Sequence, residues 1–558
     1  MKNKKNNTMK NINKILVSAF IVLFCHSLGY AQNNNYDVCV YGETPSGITA
    51  AIQAARMGKQ VLLLSTGNHV GGVMTAGLTA TDINNYRLIG GIAREAFQKL
   101  YTYYQNPAVW RNQTRDEFFE LSKKRTFTGK NDSLKMQWVY ESNVLENIFK
   151  LMLKDAKVTV IYNQKIKRNR GVVKEGTAIK RLITTSNKVY SAKVFIDATY
   201  EGDLMATSGV SYIVGRESNT QYGETFNGVR LGSVVVSETN PVDPYIKPGD
   251  SRSGILPFIE PRVAGADGSA DKRTQAYCYR LTLTDDSTNL IPIEKPKNYN
   301  PLWFELMARI ITANPEVNLS SLITFTPMPN KKTDTNHLDF VGASYDYPEA
   351  GYKQRNKLDV MHANYAIGML WFLGNDTRVP ERIRGEMKRW GLPKDEYRDN
   401  HNFPNQLYVR EARRMVSDFV MREQNCTGAE PAEESVGLGT YMLDCHFVSR
   451  MLDSAGRVRL EGTYFRKNQP YTISYRALTP KKTECSNLLV PVCLSSSHVA
   501  YGTIRMEPVY MVLGQSAGAA AALSIETKQS VQDVSYPELK EELLKADQII
   551  SLTNKKQQ

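Results

Sequence analysis

The chain has 558 residues, 70 Lys and Arg against 56 Asp and Glu, and a formal net charge of +14. Its 42% hydrophobic and 23% charged residues are typical of a globular protein, which excludes an intrinsically disordered chain, a collagen-like fibre and a small disulfide-rich scaffold. The only long apolar run lies near the N-terminus, which excludes a protein with several membrane-spanning helices. The length predicts several domains of ordinary size or fewer large ones.

The N-terminus has the pattern of an export signal. Residues 1–14 carry five Lys and no acidic residue, and an apolar run over 15–25 follows. Gly29 and Ala31 stand at the small-residue positions of a signal-peptidase site, so we predict a signal peptide over 1–31 and an exported protein, periplasmic or extracellular. An uncleaved signal anchor is the alternative, although the run is shorter than the ~20 residues that span a bilayer. Loss of five Lys would lower the net charge from +14 to +9.

The mature chain opens with a strand, a helix and a second strand. Residues 36–42 form a short apolar strand, residues 47–57 an Ala-rich helix that Gly58 ends, and residues 60–64 a second apolar strand. This order predicts a βαβ unit with parallel strands.

Later elements are predicted from periodicity in the same way. In chain order they are a helix around 144–152, strands at 157–162 and 193–198, a mostly β segment over 215–350, a helical segment over 355–425, a strand and an Ala-rich helix within 486–526, and a last helix with a capping box of Ser535 and Glu538. Within the helical segment, one apolar face is predicted from Val409, Ala412, Met415, Val416 and Phe419.

The fold class that follows is α/β, with a Rossmann-like domain of parallel sheet and helices that is interrupted by a mixed α+β domain. The predicted boundaries place the first part of the cofactor domain at 32–215 and a substrate or cap domain at 216–400. The C-terminal part of the cofactor domain is predicted at 401–530, and a terminal helix and tail at 531–558.

The turn after the first strand has features of a dinucleotide-binding loop. Residues 42–47 match G-x-G-x-x-G at Gly42 and Gly47, but Thr44 replaces the middle glycine. The first glycine permits a tight turn, the last permits close packing of helix on sheet, and the helix N-terminus offers free N–H groups to a pyrophosphate. Thr44 and Ser46, on either side of Pro45, add hydroxyl groups. A strand–turn–helix without a ligand is the alternative.

The acid that usually binds the ribose hydroxyls about 20 residues further on is missing. Residues 61–70 contain no acid, and Ser65 at the end of the second strand is left to make one such hydrogen bond. This departure weakens the case for a nicotinamide dinucleotide.

Three further small-residue segments are candidate cofactor contacts. They contribute Gly71, Gly72 and Met74, then Ala198, Thr199, Gly202 and Asp203, and finally Gly514, Gln515 and Ser516, which are predicted to open the Ala-rich helix. A second helix N-terminus suits a flavin, because reduced flavin carries negative charge near N1 and O2.

Together these segments resemble the FAD-dependent oxidoreductase family of exported bacterial proteins, a branch of the glutathione-reductase-like flavoproteins in which some members are labelled xanthan lyase-like. The matching segments are 42–51, 69–74, 88–95, 195–204, 274–281, 407–415 and 487–518. The resemblance implies a Rossmann-like FAD-binding domain and noncovalent FAD, rather than covalent attachment at His69. The family usually has an acid where Ser65 stands and often a glycine where Tyr200 stands.

Four residues before and at the start of the Ala-rich helix are candidates for catalysis. His498 is the preferred base for removing a hydroxyl proton, and Tyr501 is a second donor. Arg505, with Glu507 nearby, would stabilise a developing anion or the reduced flavin. The alternatives are a structural histidine, a packing tyrosine and an Arg–Glu pair that fixes the turn.

Other charged clusters receive structural interpretations. A helix carrying Arg410, Glu411, Arg413 and Arg414 is predicted to present a solvated face or, on the resemblance, a clamp for substrate or flavin. A Cys445–His446 nucleophile pair is disfavoured because adjacent side chains rarely face each other. No metal site is predicted from the cysteine and histidine spacings, and the short basic clusters do not indicate nucleic-acid binding.

The predicted function is an exported FAD-dependent oxidoreductase that oxidises a CH–OH group of a carbohydrate or similar small polar substrate by hydride transfer to flavin N5. Its predicted partners are that small-molecule or glycan substrate and an electron acceptor that the sequence leaves open, without an integral membrane segment in the mature chain. The alternatives are a non-catalytic glycan-binding surface protein with a flavin fold, and a polysaccharide lyase or hydrolase.

Overall fold

The computed structural model describes residues 35–123, 129–231, 234–235, 241–261 and 265–552. The predicted signal peptide over 1–31 and the last residues of the predicted tail lie outside the described residues.

The strands are named β1 to β23 in chain order. They are Asn35–Tyr41, Val61–Leu64, Lys130–Asn131, Met136–Gln137, Thr159–Ile161, Val172–Glu175, Ala178–Ile183, Val189–Asp197, Tyr212–Val214, Val234–Val235, Leu281–Thr284, Leu290–Pro292, Thr324–Met328, Lys332–Asn336, Gly391–Pro393, Arg413–Met415, Ser435–Gly439, Leu443–Cys445, Ser449–Leu452, Val458–Glu461, Tyr464–Arg466, Tyr471–Ser474 and Leu488–Leu489.

The α-helices are named α1 to α14 in chain order. They are Pro45–Arg56, Gly91–Tyr103, Arg115–Lys123, Ser142–Asp155, Asp203–Thr207, Asn219–Tyr222, Glu305–Ala313, Leu319–Leu322, Tyr352–Asn375, Glu381–Met387, Glu423–Thr427, His498–Ile504, Glu507–Thr527 and Tyr536–Lys545.

The described residues form a seven-stranded sheet built from the N-terminal half of the chain and one C-terminal strand. Its order is β5–β2–β1–β8–β7–β6, and β23 pairs with β8. The strands β5, β2, β1, β8 and β23 are parallel, as the βαβ opening predicts, whereas β7 and β6 continue the sheet antiparallel. The apolar residues of β2 are buried throughout, as expected for a parallel strand covered on both faces.

A second, antiparallel sheet has the order β12–β15–β11–β14–β13, in which the segment predicted to be mostly β supplies four strands and β15 comes from the segment predicted to be helical. Helix α9 packs beside it, and its Tyr365 ring stacks on Phe340 with centroids 3.9 Å apart. The mixed α/β class with a parallel, Rossmann-like sheet is therefore confirmed.

The helix predicted through 407–425 is wrong. The chain is helical in α9 and α10, but residues 388–422 are mostly loop and short strands, and β16 pairs with β9. The physical reason is that Arg410, Arg413 and Arg414 are buried and bind carboxylates on distant segments. These ion pairs need an extended backbone, and they outweigh the local helical periodicity.

The C-terminal part returns to the first sheet. Helix α13 is buried along nearly its whole length and packs on α1, where a Cβ on Gly514 would lie 2.1 Å from the Ser46 carbonyl oxygen. Among the described helices, α13 alone is long and apolar enough to cross a membrane, and 94% of its apolar window is buried. Its apolar character is thus that of a core helix.

The last helix, α14, follows Ser535 at the predicted position. The Ser535 side chain makes no capping hydrogen bond, so the predicted capping box is absent there.

Candidate active site

A cleft of about 970 Å³ opens at the carboxyl ends of β1, β2 and β8. One wall comes from the loops after these strands, including Glu43, Thr66 and Thr199, and the other includes Tyr352 and Arg355 of α9. The cleft lies where an α/β sheet of this topology binds its dinucleotide.

The turn after β1 brings three backbone segments into close contact. Gly42 has φ +115°, and a Cβ there would lie 2.6 Å from the Ala198 carbonyl carbon. A Cβ on Gly47 would lie 2.0 Å from the Gly42 carbonyl oxygen. Thr44 caps α1: its hydroxyl accepts from Gly47 N at 3.3 Å and donates to the Ala198 carbonyl at 2.6 Å. The Thr44 hydroxyl is therefore engaged by the protein itself.

The first turn of α1 retains groups that a pyrophosphate can use. Pro45 is the first residue of the helix, and Ser46 follows. The Ser46 hydroxyl is buried without a hydrogen-bond partner among the described residues. Pro45 has no N–H and Gly47 N donates to Thr44, so the helix end offers the Ser46 N–H, which together with this orphaned hydroxyl and the glycine-lined turn fits the expected phosphate groups.

The predicted ribose contact at Ser65 does not face the cleft. Ser65 is fully buried, and its hydroxyl donates to the carbonyls of Gly67 and His69 at 3.0 and 3.1 Å. Because Ser65 is buried and its hydroxyl donates to carbonyls of its own loop, it does not reach a ribose in the cleft.

The loop of Gly71 and Gly72 is tied to the start of α13. Both glycines have positive φ, of +108° and +53°, and a Cβ on Gly72 would lie 2.4 Å from the Tyr200 hydroxyl. That hydroxyl accepts from Val73 N at 3.2 Å and donates to Glu507 Oε1 at 2.9 Å. Tyr200 thus lies close to Gly72 and supports this loop.

Two other residues that were predicted to contact the cofactor contact protein groups instead. Met74 is buried in the core. Asp203 lines the cleft, but its carboxylate binds Arg355 at 2.6 and 3.0 Å and Arg413 at 2.9 Å. Gly202 donates its N–H to Thr199 Oγ1 at 3.0 Å, which shapes the turn before α5. Asp203 therefore joins the first sheet to α9 and β16.

The prediction that Gly514, Gln515 and Ser516 open a helix is wrong. Helix α13 begins at Glu507, and these three residues lie two turns inside it. Gln515 accepts from Ile92 N at 2.8 Å, and Ser516 donates to the Val436 carbonyl at 2.8 Å. These hydrogen bonds hold the helix in the core. The helix begins earlier, at Glu507, after the loop that precedes it.

The true N-terminus of α13 lies beyond the first turn of α1. Gly514 meets Ser46 and Gly518 meets Ala50, so α13 and α1 run parallel. The seven residues from Glu507 to Gly514 extend α13 roughly 10 Å beyond the first turn of α1. The N-termini of α1 and α13 thus point in the same direction, and both carry the partial positive charge of a helix end.

Glu507 is the first residue of α13 and is buried. Burial raises its pKa to about 8, although the hydrogen bond from Tyr200 opposes this shift. Its Oε2 has no hydrogen-bond partner in the described part of the chain. At neutral pH this side chain is therefore an uncharged acid with one free oxygen.

The preferred base, His498, is held as an imidazolium in the core. Its Nδ1 lies 2.9 Å from Glu411 Oε2, and its Nε2 lies 3.5 Å from Cys445 Sγ. Burial opposes the charged form, but the Glu411 carboxylate raises the pKa of His498 to about 10. A histidine that is protonated at neutral pH and buried cannot serve as the predicted base.

Tyr501 and Arg505 also bind protein groups. Tyr501 is buried and accepts from the Tyr510 hydroxyl at 2.7 Å. Arg505 donates to Asp444 Oδ2 at 2.7 Å and to the Tyr408 hydroxyl at 3.2 Å. Arg505 thus pairs with Asp444, so the alternative of an Arg505–Glu507 pair is wrong.

A second histidine, which sequence reasoning passed over as a base, has the better geometry. His446 Nδ1 lies 2.5 Å from Asp339 Oδ2, and its side chain is 21% exposed. Burial opposes ionisation of Asp339, but Arg410 and His446 hold the pKa of that carboxyl well below its usual range. An ionised Asp339 only accepts, so His446 donates its Nδ1 proton to it, while His446 Nε2 lies 3.9 Å from Asp444 Oδ2. His446 and Asp339 are 107 positions apart, and no sequence motif links them.

A second cavity lies on the far side of segment 75–82 from the cleft. It is lined by Ala80, Asp82, Arg280 and Asn336 among others, and Asp82 interacts electrostatically with Arg505 and Asp444. The segment 75–82 separates the two spaces: Thr75 and Ala76 line the cleft, whereas Ala80 and Asp82 line the second cavity.

Asp334 fixes the partition between the two spaces. Its Oδ2 accepts from Thr79 N and Ala80 N at 2.9 Å each, and its Oδ1 accepts from Arg280 Nε at 2.8 Å. Three hydrogen bonds to Asp334 therefore hold this wall in place.

The described residues contain no group of three or more His, Cys, Asp or Glu arranged to hold a metal ion. All six cysteines of the described part of the chain are free and buried.

The model of the family described as FAD dependent oxidoreductase matches residues 37–543 of this chain. No curated protein matches it. Among solved structures, the chain is similar to THI4 of Thermovibrio ammonificans, at 17% identity over 36% of this chain and 73% of that chain, with a TM-score of 0.21. The L-amino acid deaminase from Proteus vulgaris is similar at 13% identity over 33% of this chain and 53% of that chain, with a TM-score of 0.22. The L-proline dehydrogenase from P. horikoshii is similar at 16% identity over 33% of this chain and 58% of that chain, also with a TM-score of 0.22. At these TM-scores the three similarities carry no information on the substrate.

Proposed function

Because the chain belongs to the FAD dependent oxidoreductase family and takes FAD as its cofactor, we propose that it oxidises a CH–OH group of a carbohydrate or similar small polar substrate. The observation that carries this proposal is the partly exposed dyad of His446 and Asp339. A histidine whose Nδ1 is held by an ionised carboxylate is the arrangement of a general base.

In the proposed reaction, His446 Nε2 takes the proton of the substrate hydroxyl. Asp339 stabilises the imidazolium that forms, because the two side chains are in direct contact. FAD, when bound, supplies a hydride acceptor at flavin N5. The free N–H groups at the start of α13 would stabilise the negative charge of the reduced flavin.

Three features support a hydroxylated substrate. The second cavity carries the charged groups Asp82 and Arg280 and the amide of Asn336, which can bind several hydroxyl groups. The segment 75–82 borders both this cavity and the cofactor cleft, so a molecule in the cavity would lie beside the flavin end of the site. Export to the periplasm or beyond, inferred from residues 1–31, would give access to environmental glycans.

The test is an anaerobic screen of sugars and glycosides against the holoenzyme, with flavin bleaching as the readout. For a substrate that bleaches the wild type, His446→Gln and Asp339→Asn should each slow flavin reduction by roughly 10²- to 10⁴-fold. Both variants should keep the FAD spectrum of the wild type. His337→Gln is the matched control, since His337 is exposed nearby and should change the rate by less than about threefold.

Two results would contradict the proposal. One is a holoenzyme that no sugar, glycoside or polyol reduces. The other is a reducing substrate whose rate is unchanged in His446→Gln. Release of an unsaturated sugar without any change in flavin absorbance would instead favour a lyase.

A further inference from the structure

The ribose-binding acid expected at the end of β2 has no counterpart in residues 61–70. Ser65, the residue in its place, is buried, and its hydroxyl donates to two carbonyls of its own loop. A different side chain must therefore meet the ribose hydroxyls if this end of the cleft follows the usual arrangement of the fold.

Glu43 places a carboxylate at that position from another strand. It follows Gly42 in the turn after β1, yet its Oε2 accepts from Thr66 N at 2.8 Å. Its Oε1 accepts from Thr66 Oγ1 at 2.9 Å and from Gly67 N at 3.1 Å. Thr66 and Gly67 are the residues that leave β2 after Ser65, so the Glu43 carboxylate lies at the end of β2.

This carboxylate is both preorganised and accessible. Two backbone N–H groups and a hydroxyl fix its orientation, and Glu43, Thr66 and Gly67 all line the cleft. A carboxylate offers about four acceptor positions, of which these three hydrogen bonds use three, and Oε2 receives only one of them. One position on Oε2 thus remains for a donor in the cleft.

We propose that Glu43 binds the adenosine ribose of FAD and replaces the acid that this fold usually carries at the end of its second strand. The ribose 2′- or 3′-hydroxyl donates to Glu43 Oε2. The inference concerns the cofactor and is independent of the substrate.

The test measures the affinity of apo-protein for FAD and for FMN, which lacks the adenosine. Glu43→Gln keeps the shape but removes the charge of the acceptor. The loss of one charge-assisted hydrogen bond should weaken FAD binding by roughly 10- to 100-fold and leave FMN binding unchanged. Thr66→Val is the control: it removes one loop contact of Glu43 but no ribose contact, and should change FAD affinity by less than about threefold.

FAD analogues provide a second test that holds even if Glu43→Gln disturbs the loop. FAD analogues that lack the 2′- or the 3′-hydroxyl of the adenosine ribose should identify one hydroxyl whose removal weakens binding to the wild type but has little further effect on Glu43→Gln. The proposal is overturned if Glu43→Gln binds FAD as tightly as the wild type, or loses FAD and FMN equally. It is also overturned if Thr66→Val is as weak as Glu43→Gln, since the carboxylate would then act only on the loop.

Discussion

Two histidines show how the environment decides the role of a residue. His498 lies in a segment with strong family resemblance, yet Glu411 holds it as a buried imidazolium. His446 lies in a weaker sequence context, yet Asp339 orients it and leaves it partly exposed. Proton transfer needs access to the substrate, and of these two histidines only His446 is partly exposed.

The pair of His498 and Glu411 predicts a specific pH dependence of stability. The folded pKa of His498, about 10, lies above its ordinary 6.5. Its contribution to the free energy of unfolding is therefore complete below pH 6.5 and is lost as the pH rises through 10. Urea unfolding of wild type and His498→Gln should show a difference of several kcal/mol near pH 6.5 that shrinks towards pH 10.

The control is His362, a buried histidine whose pKa is lowered rather than raised. Burial lowers the pKa of His362 to about 4, so the unfolded chain binds the proton more tightly. The difference between wild type and His362→Gln should therefore change only as the pH falls from 6.5 towards 4. A wild type to His498→Gln difference that stays constant from pH 6.5 to 10 would show that His498 is not held as an imidazolium.

At the scale of elements, α1 and α13 form the contact that sets the cofactor cleft. Their backbones approach at Gly514 and Gly518, where an added Cβ would lie 2.1 and 2.3 Å from carbonyl oxygens of α1. The Thr49 hydroxyl also donates to the Met511 carbonyl at 2.7 Å. This contact fixes how far the N-terminus of α13 extends past that of α1.

Substitution of these glycines should separate the two helices. Gly514→Ala and Gly518→Ala should each lower the free energy of unfolding by about 1–3 kcal/mol or more, because the methyl group meets backbone atoms that cannot move aside. Thermal unfolding of the holo-protein, with bound FAD measured alongside, provides the readout.

Gly385→Ala is the matched control for this helix contact. Gly385 is exposed in α10, and no atom lies within 4 Å of an added Cβ. The substitution should raise the stability by about 0.5–1 kcal/mol through helix propensity. If Gly514→Ala behaved like Gly385→Ala, the close packing of α1 and α13 would be refuted.

At the scale of the molecule, the first sheet is assembled from both ends of the chain. Strands β1, β2 and β8 come from the first two hundred residues, whereas β23 and α13 come from beyond residue 487. Because α13 covers the apolar helix α1, the N-terminal part alone would expose a large apolar surface.

A chain that ends at residue 400 should therefore fail to form the cofactor domain. We expect it to be aggregated or to lack cooperative thermal unfolding and to bind no FAD. Coexpression with residues 401–558 should restore soluble, yellow protein. A soluble 32–400 fragment that binds FAD with the affinity of the full chain would contradict this account of the sheet.

Local sequence signals predicted the parts of the site that depend on neighbouring residues. The glycine turn of Gly42 and Gly47 and the βαβ opening depend on residues close in sequence, so their patterns appear in the sequence. The dyad of His446 and Asp339 and the carboxylate of Glu43 arise from contacts between distant segments. No local periodicity encodes such contacts.

The sequence by itself determined the α/β class, because glycine turns and apolar runs constrain the backbone locally, and its resemblance to a known family implied the FAD cofactor. Only the tertiary structure decided where α13 begins relative to the cleft and that the arginines of 410–414 are buried. It also decided that His498 is charged while His446 is oriented by Asp339. These properties depend on burial and on charges brought close by folding, and both are set by the packing of the whole chain.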